Sequence, residues 1–444
     1  MERADICVIG AGSGGLSVAS GAAQLGRKTI LIEKGEMGGD CLNAGCVPSK
    51  ALIAAAQRAQ MMRESSAFGI DAEAKIDSQR VNLHVRGIIE EIAPNDSQAR
   101  FEKLGVKVIR APARFIDART VEAGGQKIRA RRFVIATGSR PAIPPIPGLE
   151  NVPYFTNETI FGLDFTPPHL VIIGGGPVGL ELAQAHRRLA AKVTLIEMGR
   201  ILPHEDEEAV VVVRERLTRE GVRILENTNA TAIKKTDNGI AIQVVSAHGS
   251  EVIEASHLLV ATGRKPNIED LNLEAAGIAA DAHGISVDHR LKTANARVYA
   301  IGDVTQAPRF THVANYHAGL VIRHALFRMP VRADYSAVPR ITFTDPELAQ
   351  VGLTEAEVRH TRVTTARADF AQNDRAVIER QAEGFAKLVL DSRGRILGAT
   401  IVGAHAGELI QPWAMALAQR TKLSAMAAMT VAYPTLSEIG KRAA

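Results

Sequence analysis

The sequence is poor in cysteine: 444 residues hold only Cys7, Cys41 and Cys46. Three thiols cannot form the dense framework of bridges that staples a small secreted domain. Long apolar runs are missing too, since none reaches the roughly 18 residues needed to span a bilayer. No apolar leader stands ahead of the first strand, which begins almost at the initiator as Ala4-Asp5-Ile6-Cys7-Val8-Ile9. A cytoplasmic protein with no membrane partner is therefore expected. There is no basic tail or stripe either: 53 basic and 48 acidic residues are spread along the chain for a net charge of +5. That distribution argues against a nucleic-acid partner. Apolar residues at 46% and charged residues at 23% exclude disorder, and the length calls for two to four domains. In a reducing compartment a close cysteine pair is more often catalytic or metal-binding than structural, which draws attention to Cys41 and Cys46.

What the sequence does contain is an internal repeat. The apolar run Ile6–Ile9 leads into Gly10-Ala11-Gly12-Ser13-Gly14-Gly15, then a helical stretch, then Lys28-Thr29-Ile30-Leu31-Ile32-Glu33. Leu170–Ile173 leads likewise into Gly174-Gly175-Gly176-Pro177-Val178-Gly179, a second helical stretch, and Lys192-Val193-Thr194-Leu195-Ile196-Glu197. The first glycine and the closing glutamate are 23 residues apart in both units, 10 to 33 and 174 to 197. In such a unit the first glycine makes the turn out of the strand. The second admits a pyrophosphate close to the backbone, and the third lets helix and sheet pack closely. The helix N-terminus offers free N–H groups to phosphate, and the glutamate can accept from ribose hydroxyls. One such match would be weak; two, equally spaced and in strand–helix–strand context, are strong.

Each unit has a later partner, Phe133–Gly138 and Leu258–Gly263, both reading as a buried strand that ends in Ala-Thr-Gly. From first glycine to Ala-Thr-Gly the first unit takes 126 residues and the second 87, and the extra length includes the cysteine pair. Proline-rich Pro141–Pro147 reads as a linker. Val298–Asp303 reads as a short strand ending in an acid that could meet a polyol. Beyond about Ser336 the pattern becomes α+β, with a hairpin of Lys387–Leu390 and Ile396–Val402 and helical stretches around Glu408–Gln419 and Leu423–Met429.

The cysteines lie in Gly38-Gly39-Asp40-Cys41-Leu42-Asn43-Ala44-Gly45-Cys46-Val47-Pro48-Ser49-Lys50. On an ideal helix, residues five apart are about 7.5 Å apart along the axis, beyond comfortable bridging reach. A bridge needs an irregular first turn, which Gly45 and Gly38-Gly39 would permit. A helix N-terminus would favour a thiolate, and Asp40 would oppose it. A structural zinc site is the rival, but it wants four ligands. Cys7 lies in the first strand and no histidine precedes His84, so no metal site is expected. Two unrelated buried cysteines are the bland alternative.

With these motifs together, the chain resembles the flavoprotein disulfide reductases, the family of dihydrolipoamide dehydrogenase, glutathione reductase and mercuric reductase. The resemblance covers nearly the whole chain: the GGxCxNxGCxPSK segment, both dinucleotide fingerprints, both Ala-Thr-Gly turns, the Gly302-Asp303 motif and the C-terminal Tyr433-Pro434-Thr435-Leu436-Ser437-Glu438. It implies two Rossmann-like α/β domains, for FAD and for NAD, and a C-terminal α+β dimerisation domain. The expected divisions are 1–150 for FAD with the redox disulfide and 151–270 for NAD(P). Residues 271–335 would complete the FAD site, and 336–444 would form the dimer interface. It further implies that Gly10, Gly12, Gly15 and Glu33 hold the ADP half of FAD and Asp303 its ribityl side. Gly174, Gly176, Gly179 and Glu197 would hold the nicotinamide nucleotide, with Thr137, Gly138 and Gly263 also at the cofactors. Cys46 would be the thiolate facing the flavin and Cys41 the outward thiol. Lys50, paired with Glu181, would place a positive charge by the flavin. Glu197 suits a free 2′-hydroxyl and so NADH, while Arg200 nearby keeps NADPH possible.

The chain departs from the family at its end. Where reductases of dithiols and disulfides have a histidine that crosses a dimer interface to shuttle a proton, Tyr433 stands, with Glu438 five residues later and no histidine after His405. A histidine titrates near 6.5 and a tyrosine near 10, and losing a general acid–base costs about 10²–10⁴ in rate. Mercuric reductases resemble this chain in having tyrosine there. They also carry a C-terminal cysteine pair and an amino-terminal metal-binding domain, and the sequence as it stands shows neither. The expectation is a mercuric-reductase-like homodimer reducing a small-molecule acceptor such as Hg(II) or a small thiol complex. Alternatives are dihydrolipoamide dehydrogenase, a quinone or other reductase with Tyr433 as interface packing, and a flavin-based redox sensor.

Overall fold

The computed structural model describes residues 1–360 and 362–444. In the first repeat unit the strand Glu2–Ile9, the helix Ser13–Gln24 and the strand Thr29–Glu33 follow one another. The strands pair in parallel, with Ile6 opposite Thr29 and Ile9 opposite Ile32. Lys107–Arg110 extends the sheet in parallel on one side and Gln126–Ile135 on the other. Ile6 and Val8 pack into one core layer, Cys7 and Ile9 into the other. Strands covered on both faces have no reason to alternate apolar with polar, hence the continuous apolar runs. Val298–Ala300 returns from far along the chain to pair in parallel with Phe133–Ile135. It thereby brings Gly302-Asp303 to the sheet end where Ala136-Thr137-Gly138 emerges.

The second unit repeats this plan as a parallel sheet ordered Val222–Leu225, Lys192–Ile196, His169–Ile173, His257–Val260. The helix Pro177–Arg188 links its two central strands. A three-stranded antiparallel sheet, Thr228–Thr236, Gly239–Ser246 and Gly249–Ala255, lies alongside. Immediately after the two Ala-Thr-Gly turns, Ser139–Pro141 pairs antiparallel with Arg264–Pro266 and ties the two nucleotide units together.

The C-terminal region is a five-stranded antiparallel sheet ordered Arg340–Thr342, Glu347–Gly352, Ile396–Gly403, Phe385–Asp391, Val363–Asp369. The expected hairpin is its centre. The helical stretch expected over 408–419 is instead two pieces, Ala406–Leu409 and Gln411–Ala418. Pro412 has no N–H for the carbonyl four residues earlier, so the helix cannot run on unbroken. Among the described residues no helix is long and apolar enough to cross a membrane.

Two helix contacts position the site. Thr311–Phe327 packs closely on Ser13–Gln24: a Cβ on Gly21 would lie 2.4 Å from Ile322 Cδ1, so the Ile322 side chain would have to turn aside. Cys46–Glu64 packs on Pro177–Arg188, bringing the cysteine segment of the first unit against the helix of the second.

Candidate active site

The two glycine loops have the same geometry. Gly10 and Gly174 have φ of +105° and +118°, and a Cβ on either would lie 2.3 Å from the carbonyl oxygen of Ala136 or Ala261. At Gly15 and Gly179 a Cβ would come within 1.9 Å of the carbonyl oxygen of Gly10 or Gly174. The protein itself therefore demands glycine at the first and third positions. The middle ones differ: Gly12 and Gly176 have ordinary extended backbone and nothing within 4 Å of a built Cβ. Nothing in the fold explains glycine there, but a phosphate approaching the helix N-terminus would. The glutamates are matched too. Glu33 accepts the N–H groups of Ala11 at 2.5 Å and Gly35 at 2.6 Å; Glu197 accepts those of Gly175 at 2.6 Å and Gly199 at 2.9 Å.

The cysteines occupy a broken helix. Gly39–Asn43 makes one short turn, Ala44 and Gly45 leave helical geometry, and Cys46 opens the helix that runs to Glu64. A Cβ on Gly45 would lie 2.8 Å from Asp40 Oδ2 and 2.9 Å from its carbonyl oxygen, so the turn closes only around glycine. Asn157 braces it, donating from Nδ2 to Asp40 Oδ1 and to the Ala44 carbonyl, each at 3.0 Å. The result is the irregular turn that bridging requires, and the two sulfurs come within hydrogen-bonding reach of each other. The pair is unequal. The bond from Cys41 lowers the Cys46 thiol to about 6, with help from Thr311 and Lys50 and against burial and Asp40. The same bond and burial push the Cys41 thiol up. Thr311 Oγ1 stands 3.4 Å from Cys46 Sγ, at the N-terminus of its helix. Cys7 is buried in the first sheet, well apart.

One turn into the cysteine helix, Lys50 Nζ lies 2.7 Å from Glu181 Oε2. Glu181 is 5% exposed, and its Oε1 accepts the N–H of Phe343 at 2.9 Å. The Phe343 ring lies under the same ammonium, 4.3 Å from Nζ to centroid. One ion pair thus joins both nucleotide units and the C-terminal region. Below it, Gln184 exchanges hydrogen bonds with the Asp345 backbone, and buried Arg188 holds Glu220 and Asp345 at 2.6 and 2.9 Å. These bonds fix the segment that donates to Glu181.

Two glycine cradles open at helix N-termini, each with its acid, and a polarised cysteine pair lies beside a lysine between them. Comparison with known proteins agrees with that reading. Residues 4–318 match the model of the pyridine nucleotide-disulphide oxidoreductases, and residues 338–444 match that family's dimerisation domain. The chain belongs to this family. It is 33% identical over 449 residues to the mercuric reductase of Lysinibacillus sphaericus, covering all of this chain and 82% of that one. To the dihydrolipoyl dehydrogenase of Geobacillus stearothermophilus it is 34% identical over 452 residues, covering 98% and 94%. Its structure resembles LpdA of Mycobacterium tuberculosis, with a TM-score of 0.91 and 27% identity over 100% and 99% of the two chains. It also resembles the HOCl-induced flavoprotein disulfide reductase RclA of Escherichia coli, seen as a Cu(II) complex, with a TM-score of 0.88 and 28% identity over 98% of both chains.

As a pyridine nucleotide-disulphide oxidoreductase the protein is an enzyme that uses FAD and NAD(P)H, and the space left open at Gly12 and Gly176 is compatible with a phosphate approaching each helix N-terminus. Thr137 and Gly138 interlock with the second unit, Thr137 giving its hydroxyl to the Asn267 carbonyl at 2.7 Å and Gly138 accepting the Asn267 N–H at 3.0 Å. Gly263, at φ +126°, accepts the Ala142 N–H at 2.9 Å. Asp303 Oδ2 accepts from Ser139 Oγ at 2.8 Å.

The family's C-terminal motif is arranged differently from its spacing. Within the chain Tyr433 does not turn to Glu438. It is 69% exposed and gives its hydroxyl proton to Asp374 Oδ2 at 2.9 Å, while Glu438 Oε2 is buried without a hydrogen-bond partner among the described residues. Several other neighbours escaped the sequence reading. Arg264 reaches Ser139 and, at 3.2 and 3.8 Å, Asp40 and Asp303. It follows Ala-Thr-Gly directly, so its place in the motif was the available signal. His317, fully buried, accepts the Gly302 N–H at 3.1 Å and thereby steadies the Asp303 turn. Nothing local marks His317, Thr311 or Phe343, which reach the site from the far end of the chain.

Proposed function

We propose that this enzyme passes electrons from NADH through FAD and the Cys41–Cys46 disulfide to a soft metal ion presented as a thiolate complex. The observation that supports this best is the unequal cysteine pair. Bound FAD supplies a ring that accepts hydride and hands on an electron pair. The residues then have separate tasks. The disulfide takes two electrons and one proton to become Cys46 thiolate and Cys41 thiol, the distribution that the lowered Cys46 and raised Cys41 favour. Lys50, anchored by Glu181, holds positive charge where negative charge accumulates. Thiolate then exchanges onto Hg(II), which suits sulfur, displacing a small thiolate. Two electrons pass to the ion as the Cys41–Cys46 bond re-forms, and the Cys41 proton goes to the displaced thiolate.

Gly10, Gly12, Gly15, Glu33, Thr137, Gly138 and Asp303 are assigned to FAD, and Gly174, Gly176, Gly179, Glu197 and Gly263 to the nicotinamide nucleotide. NADH is preferred because Glu197 would repel a 2′-phosphate. Arg200 does not offset this, being held by the carbonyls of Pro203 and Glu205 at 3.0 and 3.3 Å. In a homodimer built on the 338–444 region, Tyr433 of one chain faces the cysteine pair of the other and offers an oxygen to the ion. Tyrosine in place of the proton-shuttling histidine favours a metal over lipoamide or glutathione disulfide, as does the Cu(II) bound to the RclA relative. The test is turnover with NADH and Hg(II) in excess thiol, set against lipoamide, glutathione disulfide and quinones. Metal-dependent NADH oxidation above the oxygen background is expected; fast lipoamide turnover without it would make the enzyme a dihydrolipoamide dehydrogenase.

A further inference from the structure

The segment Tyr433-Pro434-Thr435 is gripped by two consecutive residues some sixty positions earlier. Asn373 is fully buried and caps the helix Asp374–Ile378, accepting the Ala376 N–H at 3.0 Å. From its other atom, Nδ2, it donates to the Thr435 carbonyl at 3.1 Å. The next residue, Asp374, accepts the Tyr433 hydroxyl at 2.9 Å. One residue therefore fixes the backbone of the motif and its neighbour fixes the side chain. The anchor is rigid because Asn373 sits among core residues such as Phe370 and Ala376.

An exposed tyrosine ring has little packing to choose its direction, so the hydroxyl bond is what orders Tyr433. Glu438, the acid at the family's spacing, opens the terminal helix and makes no bond to the phenol. We infer that Asp374, and not Glu438, is the positioning residue for Tyr433 at the acceptor site, and that it suits Tyr433 to a cationic acceptor. This rests on the reading of Tyr433 as acceptor-facing.

The chemistry follows from the single phenolic proton. With that proton committed to Asp374, the oxygen has only lone pairs to offer. It can ligate a soft or borderline metal ion, but it cannot donate to a departing thiolate as a histidine would. The Asp374 carboxylate also adds negative charge beside the oxygen, which attracts a cation and repels an anionic disulfide. Three charged groups act on Tyr433: Asp374 from its own helix, and Glu438 and Arg442 from the terminal helix. The bond to Asp374 is the main cause that raises the phenol, with Glu438 adding and Arg442 opposing.

The experiment uses the FAD-loaded enzyme. The chain has five tyrosines, so ultraviolet titration of tyrosinate, compared with the same curve for Tyr433→Phe, isolates this one. Asp374→Asn should move its ionisation down by about one pH unit, as loss of a hydrogen-bonded carboxylate does; Glu438→Gln should move it less. With Hg(II) in excess thiol, Asp374→Asn and Tyr433→Phe should each lower kcat/KM by about tenfold, and the double variant should be no worse than Tyr433→Phe alone. Glu438→Gln should combine additively with Tyr433→Phe. Melting temperatures identify any variant that fails to fold; Asp374→Glu, which keeps the carboxylate, then serves in its place and should restore the titration. An unmoved titration in Asp374→Asn, or full additivity of Asp374→Asn with Tyr433→Phe, overturns the inference. If Tyr433→Phe reduces metal at the wild-type rate, the acceptor-facing reading fails instead, and the titration still decides whether Asp374 governs the phenol.

Discussion

Glycine does two different jobs in the second nucleotide loop, and alanine substitutions separate them. In Gly176→Ala the new Cβ meets nothing within 4 Å, on a backbone at φ −76° and ψ −179° that any residue adopts. Stability should change by no more than about 0.5 kcal/mol. The Cβ would, however, stand where a phosphate oxygen reaches the helix N-terminus. Displacing one hydrogen bond to a charged group costs about 1.5–3 kcal/mol, or roughly 10- to 150-fold in NADH affinity. In Gly179→Ala the Cβ would lie 1.9 Å from the Gly174 carbonyl oxygen, so helix and strand must part. Overpacking of this kind costs about 1–3 kcal/mol or more, and it should appear as a lower melting temperature before any NADH is added. The assay is stopped-flow reduction of the FAD-loaded enzyme over a range of NADH concentrations, alongside thermal unfolding. A Gly176→Ala variant that binds NADH like the wild type, or melts as early as Gly179→Ala, would refute the assignment of that open space to pyrophosphate.

Other perturbations follow from the same geometry. Since the Cys46 thiol is lowered to about 6, the two-electron-reduced enzyme should be about 90% thiolate at pH 7, against about 1% for a thiol near 9. Its long-wavelength thiolate–flavin band should be full above neutrality and fade as pH falls through about 6. Thr311→Val removes one lowering contact and should move that midpoint upward; a wild-type midpoint near 8.5 would show that the contacts do not act. Lys50→Met strands the buried Glu181 carboxylate on the Phe343 N–H alone. Breaking a buried pair can cost about 3–5 kcal/mol, and the partial solvent access of Lys50 brings the expected loss nearer 2 kcal/mol. Urea unfolding measures it, and pairing Lys50→Met with Glu181→Leu should recover part of the loss. Arg200→Ala should change the ratio of kcat/KM for NADH and NADPH by less than about threefold, because the guanidinium is already held by backbone carbonyls; a large loss of NADPH activity would show that it swings toward the 2′-phosphate.

Local chemistry was legible in the sequence because its rules are local. The glycine loops, the acid 23 residues on and the fully buried strands each follow from backbone sterics and burial within one strand–helix–strand unit, so they could be read without the fold. The turn at Gly45 could be anticipated as well, since an unbroken helix would hold the two cysteines apart. The helical stretch expected over 408–419 breaks at Ile410 because Pro412 lacks the N–H that would carry the helix on.

The sequence by itself thus determined two dinucleotide units, a cysteine pair within the first of them and a tyrosine where a histidine was expected. Tertiary structure decided what those groups touch. Thr311 meets Cys46 across 265 positions, Phe343 meets Glu181 across 162, and Asp374 meets Tyr433 across 59. A side chain's electrostatics depend on every charge and dipole within a few ångströms, wherever in the chain they originate. No local pattern specifies such contacts. The family's spacing pointed from Tyr433 to Glu438, while the fold turns the phenol to Asp374.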